Sequence, residues 1–302
     1  MAMGRQATRN NDQHICNFIR PGSPPIPHIG GPISVQAGRT VNINKKYAAT
    51  FSDEAECTGV GSSPPPKDSI IGGCLKVFIN GKPAARAMEK TYGGSLVAGS
   101  PDVNYGDKYS SLAEKAANWL HQYLAGQKHI PFDHPWDGCY ARAHEMKRIM
   151  EQQFNVELKK VFVFGNLKPV TGTLHGNSTP VVWWYHVAPL VEGIDNIGNP
   201  IQYVIDPSLS PDTVLTKKEW LDLSKGSGNL DPSRPHRIDN ATTYGPSGSI
   251  DTNYIDTTNI LNSKHNRKIV NGEYADPDPN LYSKIVTKDS YPAPVIKSPH
   301  IP

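Results

Sequence analysis

Val181-Val-Trp-Trp-Tyr-His-Val-Ala-Pro-Leu190 and Ile201-Gln-Tyr-Val-Ile-Asp206 are two apolar runs rich in β-branched and aromatic residues, separated by the turn formers Asp195-Asn-Ile-Gly-Asn199. Such a pattern reads as two antiparallel strands of one hairpin. A turn centred on Asn196 sets His186 opposite Asp206, on the same side of the two strands. That is the placement an acid needs to orient an imidazole. A slip of one residue would put the two on opposite faces, so the reading depends on register.

Upstream, Asp137-Gly138-Cys139 opens a helical stretch from Cys139 to Phe154, with Asp137 available as the N-cap residue. Cys139, Ala143, Met146 and Met150 fall on one stripe. The thiol then sits in the first turn, where the partial positive charge of the helix start favours a thiolate. Cys139, His186 and Asp206 together form a candidate nucleophile, base and orienting acid. His144 follows Cys139 by five residues, about 140° round the helix, and cannot easily reach back. His134 and His175 stand in loop-like segments without a paired acid. Trp183, Trp184 and Tyr185 flank the histidine and are candidate substrate contacts, with at least one tryptophan expected in the core instead.

The bulk properties set the frame. At 302 residues with 37% hydrophobic content, the chain can build two domains. Its formal charge of +3 forms no basic tract, so no nucleic-acid partner is indicated. Met1 to Asn11 lacks the apolar core of a signal peptide, and no stretch reaches the length of a membrane span. Export without the general secretory route is the expectation. The four cysteines, at 16, 57, 74 and 139, are unevenly scattered in a chain too large to need disulfide staples, so at least one is expected to be a working thiol.

Residues 1 to 106 read as short strands punctuated by Gly and Pro. An internal repeat lies there: Val41-Asn-Ile-Asn-Lys-Lys-Tyr-Ala-Ala-Thr50 returns as Val77-Phe-Ile-Asn-Gly-Lys-Pro-Ala-Ala-Arg86, and Gly30-Gly-Pro-Ile33 is echoed by Gly93-Gly-Ser-Leu96. Stacked hairpins of similar shape are implied. From about Gly106 a helical pattern begins (Leu112, Ala116, Trp119, Leu120, Leu124), with Lys108 to Ser111 as the junction. The division is therefore 1–106 and 107–302, the second part ending in a Pro-rich tail.

Ile79-Asn-Gly-Lys-Pro-Ala-Ala-Arg86, with Pro27-His-Ile-Gly-Gly-Pro-Ile33, resembles the PAAR-repeat family over roughly residues 10 to 106. That resemblance implies a small all-β cone at the tip of a type VI secretion spike, often holding a metal near its apex. His14, Cys16, His28 and Cys57 are the ligands available for a structural zinc. Thr91-Tyr92 stand where the family often has a histidine, so the ligand set departs from the family's.

Pro131-Phe-Asp-His-Pro-Trp-Asp-Gly-Cys-Tyr-Ala-Arg-Ala-His144, Phe162-Val-Phe-Gly-Asn-Leu167, Trp183-Trp-Tyr-His-Val-Ala188 and Val204-Ile-Asp-Pro-Ser-Leu209 resemble the protein-glutaminase family. The resemblance implies an α+β papain- or transglutaminase-like cysteine hydrolase. It would deamidate protein glutamines through Cys139, His186 and Asp206, by a thioester and with no catalytic cofactor. Joined, the two resemblances imply a type VI effector acting in a target cell on a protein substrate, with a spike trimer, a cognate immunity protein and a loading chaperone as partners. The same triad could instead serve a cysteine protease or transglutaminase, and a non-enzymatic spike plug is the further alternative. Beyond residue 210, the segments 211–223 and 255–262 read as short elements without assigned chemistry.

Overall fold

The computed structural model describes residues 4–58, 67–106, 111–132, 137–171 and 179–265. His134 and His175 lie outside these ranges, as do most of the expected junction and the Pro-rich tail.

The first region is built from thirteen short strands: β1 (Arg5–Gln6), β2 (Gln13–Cys16), β3 (Ile19–Arg20), β4 (Ile26–Pro27), β5 (Gly31–Ser34), β6 (Asn42–Ile43), β7 (Lys46–Tyr47), β8 (Glu54–Glu56), β9 (Lys67–Ser69), β10 (Cys74–Ile79), β11 (Lys82–Ala84), β12 (Gly94–Leu96) and β13 (Asn104–Tyr105). Five of them form an antiparallel sheet in the order β12-β2-β5-β8-β9. The repeat becomes two hairpins, β6–β7 and β10–β11. They turn on Asn44-Lys45 and Asn80-Gly81, all four at positive φ, as two-residue hairpin loops require.

The repeat has a third copy that the sequence hides. Thr8 N–H donates to Ala85 O (3.1 Å), Ala85 N–H to Ala49 O (2.9 Å) and Ala49 N–H to Thr8 O (2.9 Å), closing a three-membered ring of backbone bonds. Each member runs into a turn at positive φ, at Asn11, Ser52 and Met88. Those residues donate in turn to Ile33, Ile70 and Leu96, which pack with Ala49 and Ala85 in one small core. In the first copy the strand before Thr8, β1, pairs with β13, and the Val, Ile and Lys positions of the other two copies are not repeated in the sequence. The echoed Gly-Gly segments supply β5 and β12, the two neighbours of β2.

The second region opens with β14 (Leu112–Ala113) and α1 (Glu114–Ala125), then α2 (Cys139–Phe154), β15 (Lys159–Leu167), β16 (Val170–Thr171), β17 (Thr179–Pro180), β18 (Trp183–Ile194), β19 (Pro200–Val204), β20 (Leu215–Thr216), α3 (Lys217–Lys225), β21 (Asn229–Leu230), β22 (His236–Asn240) and α4 (Ile255–His265). The sheet runs β20-β19-β18-β15, with β21 and β22 on the far edge of β15 and β14 parallel on β18. α2 packs on β18, and α4 packs on α2. Of the downstream segments, 211–223 yields β20 and most of α3, and 255–262 lies in α4. The pairing strand β22 was not anticipated, because His236-Arg-Ile-Asp-Asn240 is mostly polar. Burying Phe154, where α2 ends, contributes roughly 2 kcal/mol.

Two local expectations are corrected. The N-cap of α2 is Gly138, not Asp137. Gly138 adopts φ 79°, a left-handed conformation in which Gly carries no steric penalty, and no side chain caps the helix. The β18–β19 register also differs: Leu190 pairs with Val204 and Val191 with Tyr203, so the turn is centred on Ile197 rather than Asn196. Pairing is displaced by two residues, and Asp206 lies past the end of β19. An even displacement preserves the face, so Asp206 still reaches His186.

Among the described residues, no helix is long and apolar enough to cross a membrane.

Candidate functional site

Cys139 is the first residue of α2 and is buried among Ala143, Phe162, Phe164 and Val187. The left-handed turn at Gly138 leaves the first amides of the helix without internal partners. The Asp137 carbonyl before it accepts from Arg142 Nη1 at 2.7 Å, which ties the turn back onto the helix.

His186 lies on β18 opposite Val163 and is fully buried. Its Nε2 meets Asp206 Oδ2 at 2.6 Å. Trp183 stacks on the ring at a centroid distance of 4.3 Å, and Trp220 of α3 stacks at 5.6 Å. Two indoles thus fix the ring plane. Burial works against a charged imidazole here, but the Asp206 charge and hydrogen bond, together with the nearby Cys139 thiol, raise its pKa to about 9.

Asp206 is the most constrained member. Burial alone would raise its pKa, but His186, the Trp220 indole and the Arg142 charge outweigh that and hold the carboxyl below its ordinary value. Trp220 Nε1 donates to Oδ2 at 2.8 Å, and Ser208 N–H donates to Oδ1 at 3.2 Å. A buried carboxylate accepting several bonds is the form that persists.

The structure therefore puts Asp206 on Nε2 of His186 and leaves the buried Nδ1 without a hydrogen-bond partner among the described residues, with Cys139 among the groups that act on the charge of the ring. The aromatic trio divides. Trp183 is 7% exposed and forms a wall against His186. Trp184 is 60% exposed and tilts over Tyr185 at 4.4 Å. Burial, with Cys139 and Tyr140 beside it, pushes the Tyr185 phenol well above its usual pKa, so it is a neutral hydroxyl next to Cys139. His144 points elsewhere: its ring accepts from Lys160 Nζ (2.7 Å) and meets the Asp251 carbonyl (2.9 Å). Burial, with the Lys160 charge, holds His144 near 4, so a neutral ring is available to accept that bond.

Trp220 was missed in the sequence. Its only signal is an aromatic residue in a polar helix, and nothing along the chain says that it comes back to Asp206.

In the first region, His14, Cys16, Cys57 and Asp68 place their ligand atoms within 4.8 Å of one another, all buried. Three of the four expected ligands meet there. His28 lies outside the group, its Nδ1 3.6 Å from Cys16 Sγ, while Asp68 joins it. Asp68 is oriented by the Gly93 N–H, which contacts both its oxygens at 3.1 Å. His14 Nδ1 bonds the Gly31 carbonyl at 3.0 Å, which leaves Nε2 facing Asp68 (3.6 Å) and Cys57 (3.9 Å). A histidine anchored through one nitrogen presents the other as a ligand. Burial, with the neighbouring Cys16 and Asp68, pushes the Cys57 thiol up to about 12. Such a crowd of acidic donors suits a divalent cation, and the donor set fits zinc.

Residues 109–224 match the family described as Glutaminase, and residues 22–99 match the PAAR motif. Among solved structures, the protein-glutaminase of Chryseobacterium proteolyticum is 32% identical, with 48% of this chain and 83% of that one covered and a TM-score of 0.41. A crystal structure of protein-glutaminase is 28% identical over 64% of this chain and 99% of that one, with a TM-score of 0.43. A mutant pro-protein-glutaminase is 20% identical over 89% and 97%, with a TM-score of 0.46. No curated protein matches. With the site's residues inside the matched segment, the chain belongs to the protein-glutaminase family through residues 109–224 and carries a PAAR motif in residues 22–99.

Proposed function

We propose that this chain is a type VI secretion effector that deamidates glutamine side chains of a target-cell protein, with Cys139, His186 and Asp206 as its catalytic triad. The observation that carries the reading is the buried His186, held by Asp206 on one nitrogen and acted on by Cys139, inside the segment matched to the glutaminase family. The domains divide at 106/107, and the second is a papain- or transglutaminase-like hydrolase.

With its pKa near 9, His186 holds a proton at neutral pH, and the reactive form of the Cys139 nucleophile is its thiolate. The thiolate attacks the glutamine carboxamide carbon. The oxyanion that forms is met by the Cys139 backbone N–H at the start of α2. His186 passes its proton to the leaving ammonia, and a thioester remains. Water then attacks the thioester, with His186 taking the proton, to release glutamate and restore the thiol. Asp206 and Trp220 keep the ring in one orientation throughout, and the exposed Trp184 offers a surface for the substrate chain.

The first domain seats the chain on a spike trimer, and a cognate immunity protein covers the cleft in the producing cell. His14, Cys16, Cys57 and Asp68 would hold a structural zinc, which cross-links strands and takes no part in the hydrolysis.

The test is ammonia release from a glutamine-rich protein such as casein, with substrate mass followed in parallel, for the chain and its Cys139→Ala variant. Ammonia and an amide-to-acid mass gain, both lost in the variant, are expected. Shortened or cross-linked casein without ammonia would replace the reading with proteolysis or transglutamination.

A further inference from the structure

The two regions meet through aromatic side chains from both. Phe51 lies edge-on to Trp119 (5.4 Å) and Tyr123 (5.1 Å) and is tilted against Phe154 (6.1 Å). Phe78 lies edge-on to Trp119 at 6.0 Å. Trp119 and Tyr123 stack face to face at 5.5 Å, and the Tyr123 hydroxyl donates to Gln153 Oε1 at 2.8 Å. Around them one buried apolar cluster runs from Leu75 and Ile79 in the first region to Leu120 and Met150 in the second. Packing is close enough that a Cβ on Gly72 would stand 2.8 Å from the Gln153 carbonyl oxygen.

Interfaces between domains of one chain are ordinarily more polar than a core, and relative motion is their default. This one is a core. Each aromatic ring buries on the order of 150–250 Å², so removing the first region would leave Trp119, Tyr123 and Phe154 facing water on one side of α1 and the end of α2. Position matters equally. Phe154 is the last residue of α2 and Cys139 the first, so the contact is fifteen residues from the nucleophile, roughly 22 Å along the helix. The docking face and the candidate cleft are at opposite ends of one helix.

We infer that the N-terminal β region is a permanent docking partner of the catalytic region, and that Cys139 works while the two remain joined. The second half of that statement rests on the catalytic reading above. The first region is then a structural half of the enzyme as well as its carrier, and delivery needs no step that separates them.

The experiment uses the full chain with a protease recognition sequence substituted into 107–110, cut without denaturant and passed over a sizing column, beside calorimetry of the uncut chain and its Phe51→Ala variant. The two pieces are expected to co-elute and to keep the ammonia release of the uncut chain. The uncut chain should unfold in one transition, which Phe51→Ala lowers by several degrees as a whole. Pieces that elute apart, or two independent transitions of which Phe51→Ala moves only one, would overturn the docking. If the inserted sequence resists cutting, calorimetry alone decides. Activity that appears only after the pieces are forced apart would overturn the claim that the joined chain works. Both readouts of association are independent of chemistry, so co-elution without any ammonia release counts against the catalytic reading and leaves the docking intact.

Discussion

Replacing Asp206 with Asn removes a charge while preserving most of the local geometry, because both neighbours of Oδ2 are donors. His186 Nε2 at 2.6 Å and Trp220 Nε1 at 2.8 Å would hold the amide oxygen at that position, at the expense of the longer Ser208 bond at Oδ1. The histidine orientation survives and its electrostatic support does not. In the parent chain Asp206 is the larger of the two influences, with Cys139, that raise a buried His186 to about 9. Without that charge only Cys139 still opposes burial, and the ring falls from about 9 toward its ordinary value near 6.5, a loss of up to about 2.5 units or roughly 3.4 kcal/mol. At pH 8 the protonated fraction drops from roughly 90% toward roughly 3%, a fall of up to about thirtyfold from protonation alone. The assay is kcat/KM for ammonia release between pH 5 and 10. Its alkaline limb should move from about 9 toward 6.5. Linkage gives a second readout: stability from a raised histidine pKa is fully present below 6.5 and is lost as pH rises through 9. The parent's melting temperature should therefore fall across that window, and the variant's should not. An alkaline limb that stays near 9 in Asp206→Asn would refute the assignment of His186 and Asp206 as a working pair.

Trp220→Phe keeps an aromatic face on His186 but deletes the indole donor to Asp206. Since His186 still holds Oδ2, the loss should sit at the low end for a bond to a charged group, about 1.5 kcal/mol or roughly tenfold in kcat, and an unchanged kcat with raised KM would place Trp220 in substrate binding instead. Trp184→Ala, at a side chain 60% exposed, should raise KM while leaving kcat and the melting temperature nearly unchanged. A drop in kcat alone would argue against a substrate platform. In the first region, Asp68→Ala should abolish zinc binding measured by elemental analysis, whereas His28→Ala should retain it. The reverse pattern would return His28 to the ligand set.

The candidate site was legible in the sequence to an unusual degree because its members lie on short, regular segments. A cysteine at a helix start and a histidine in an apolar, aromatic run are local patterns, and the period-two geometry of a strand tolerated the two-residue error in register. Trp220 and Asp68 were not legible. Each is joined to its site only through long-range packing, Trp220 by the fold of α3 onto the sheet and Asp68 by pairing of β8 with β9. The N-cap of α2 was misread for a different reason. Asp is a good capping side chain, but Gly138 could adopt the left-handed conformation at no steric cost, and backbone freedom prevailed over side-chain preference.

By itself the sequence determined where α1, α2 and the strands β18 and β19 form, that two unlike regions are joined, and which three residues are candidates to share one site. Those properties follow from periodicity and composition, which act over a few neighbouring residues. Only the tertiary structure decided that the internal repeat is threefold, that β22 completes the sheet, that Asp68 rather than His28 joins His14, Cys16 and Cys57, and that Phe51 and Phe78 share a core with α1 and α2. Each of these depends on contacts between residues far apart in the chain. They form because burying apolar surface and pairing buried polar groups outweighs the chain entropy lost in bringing such residues together.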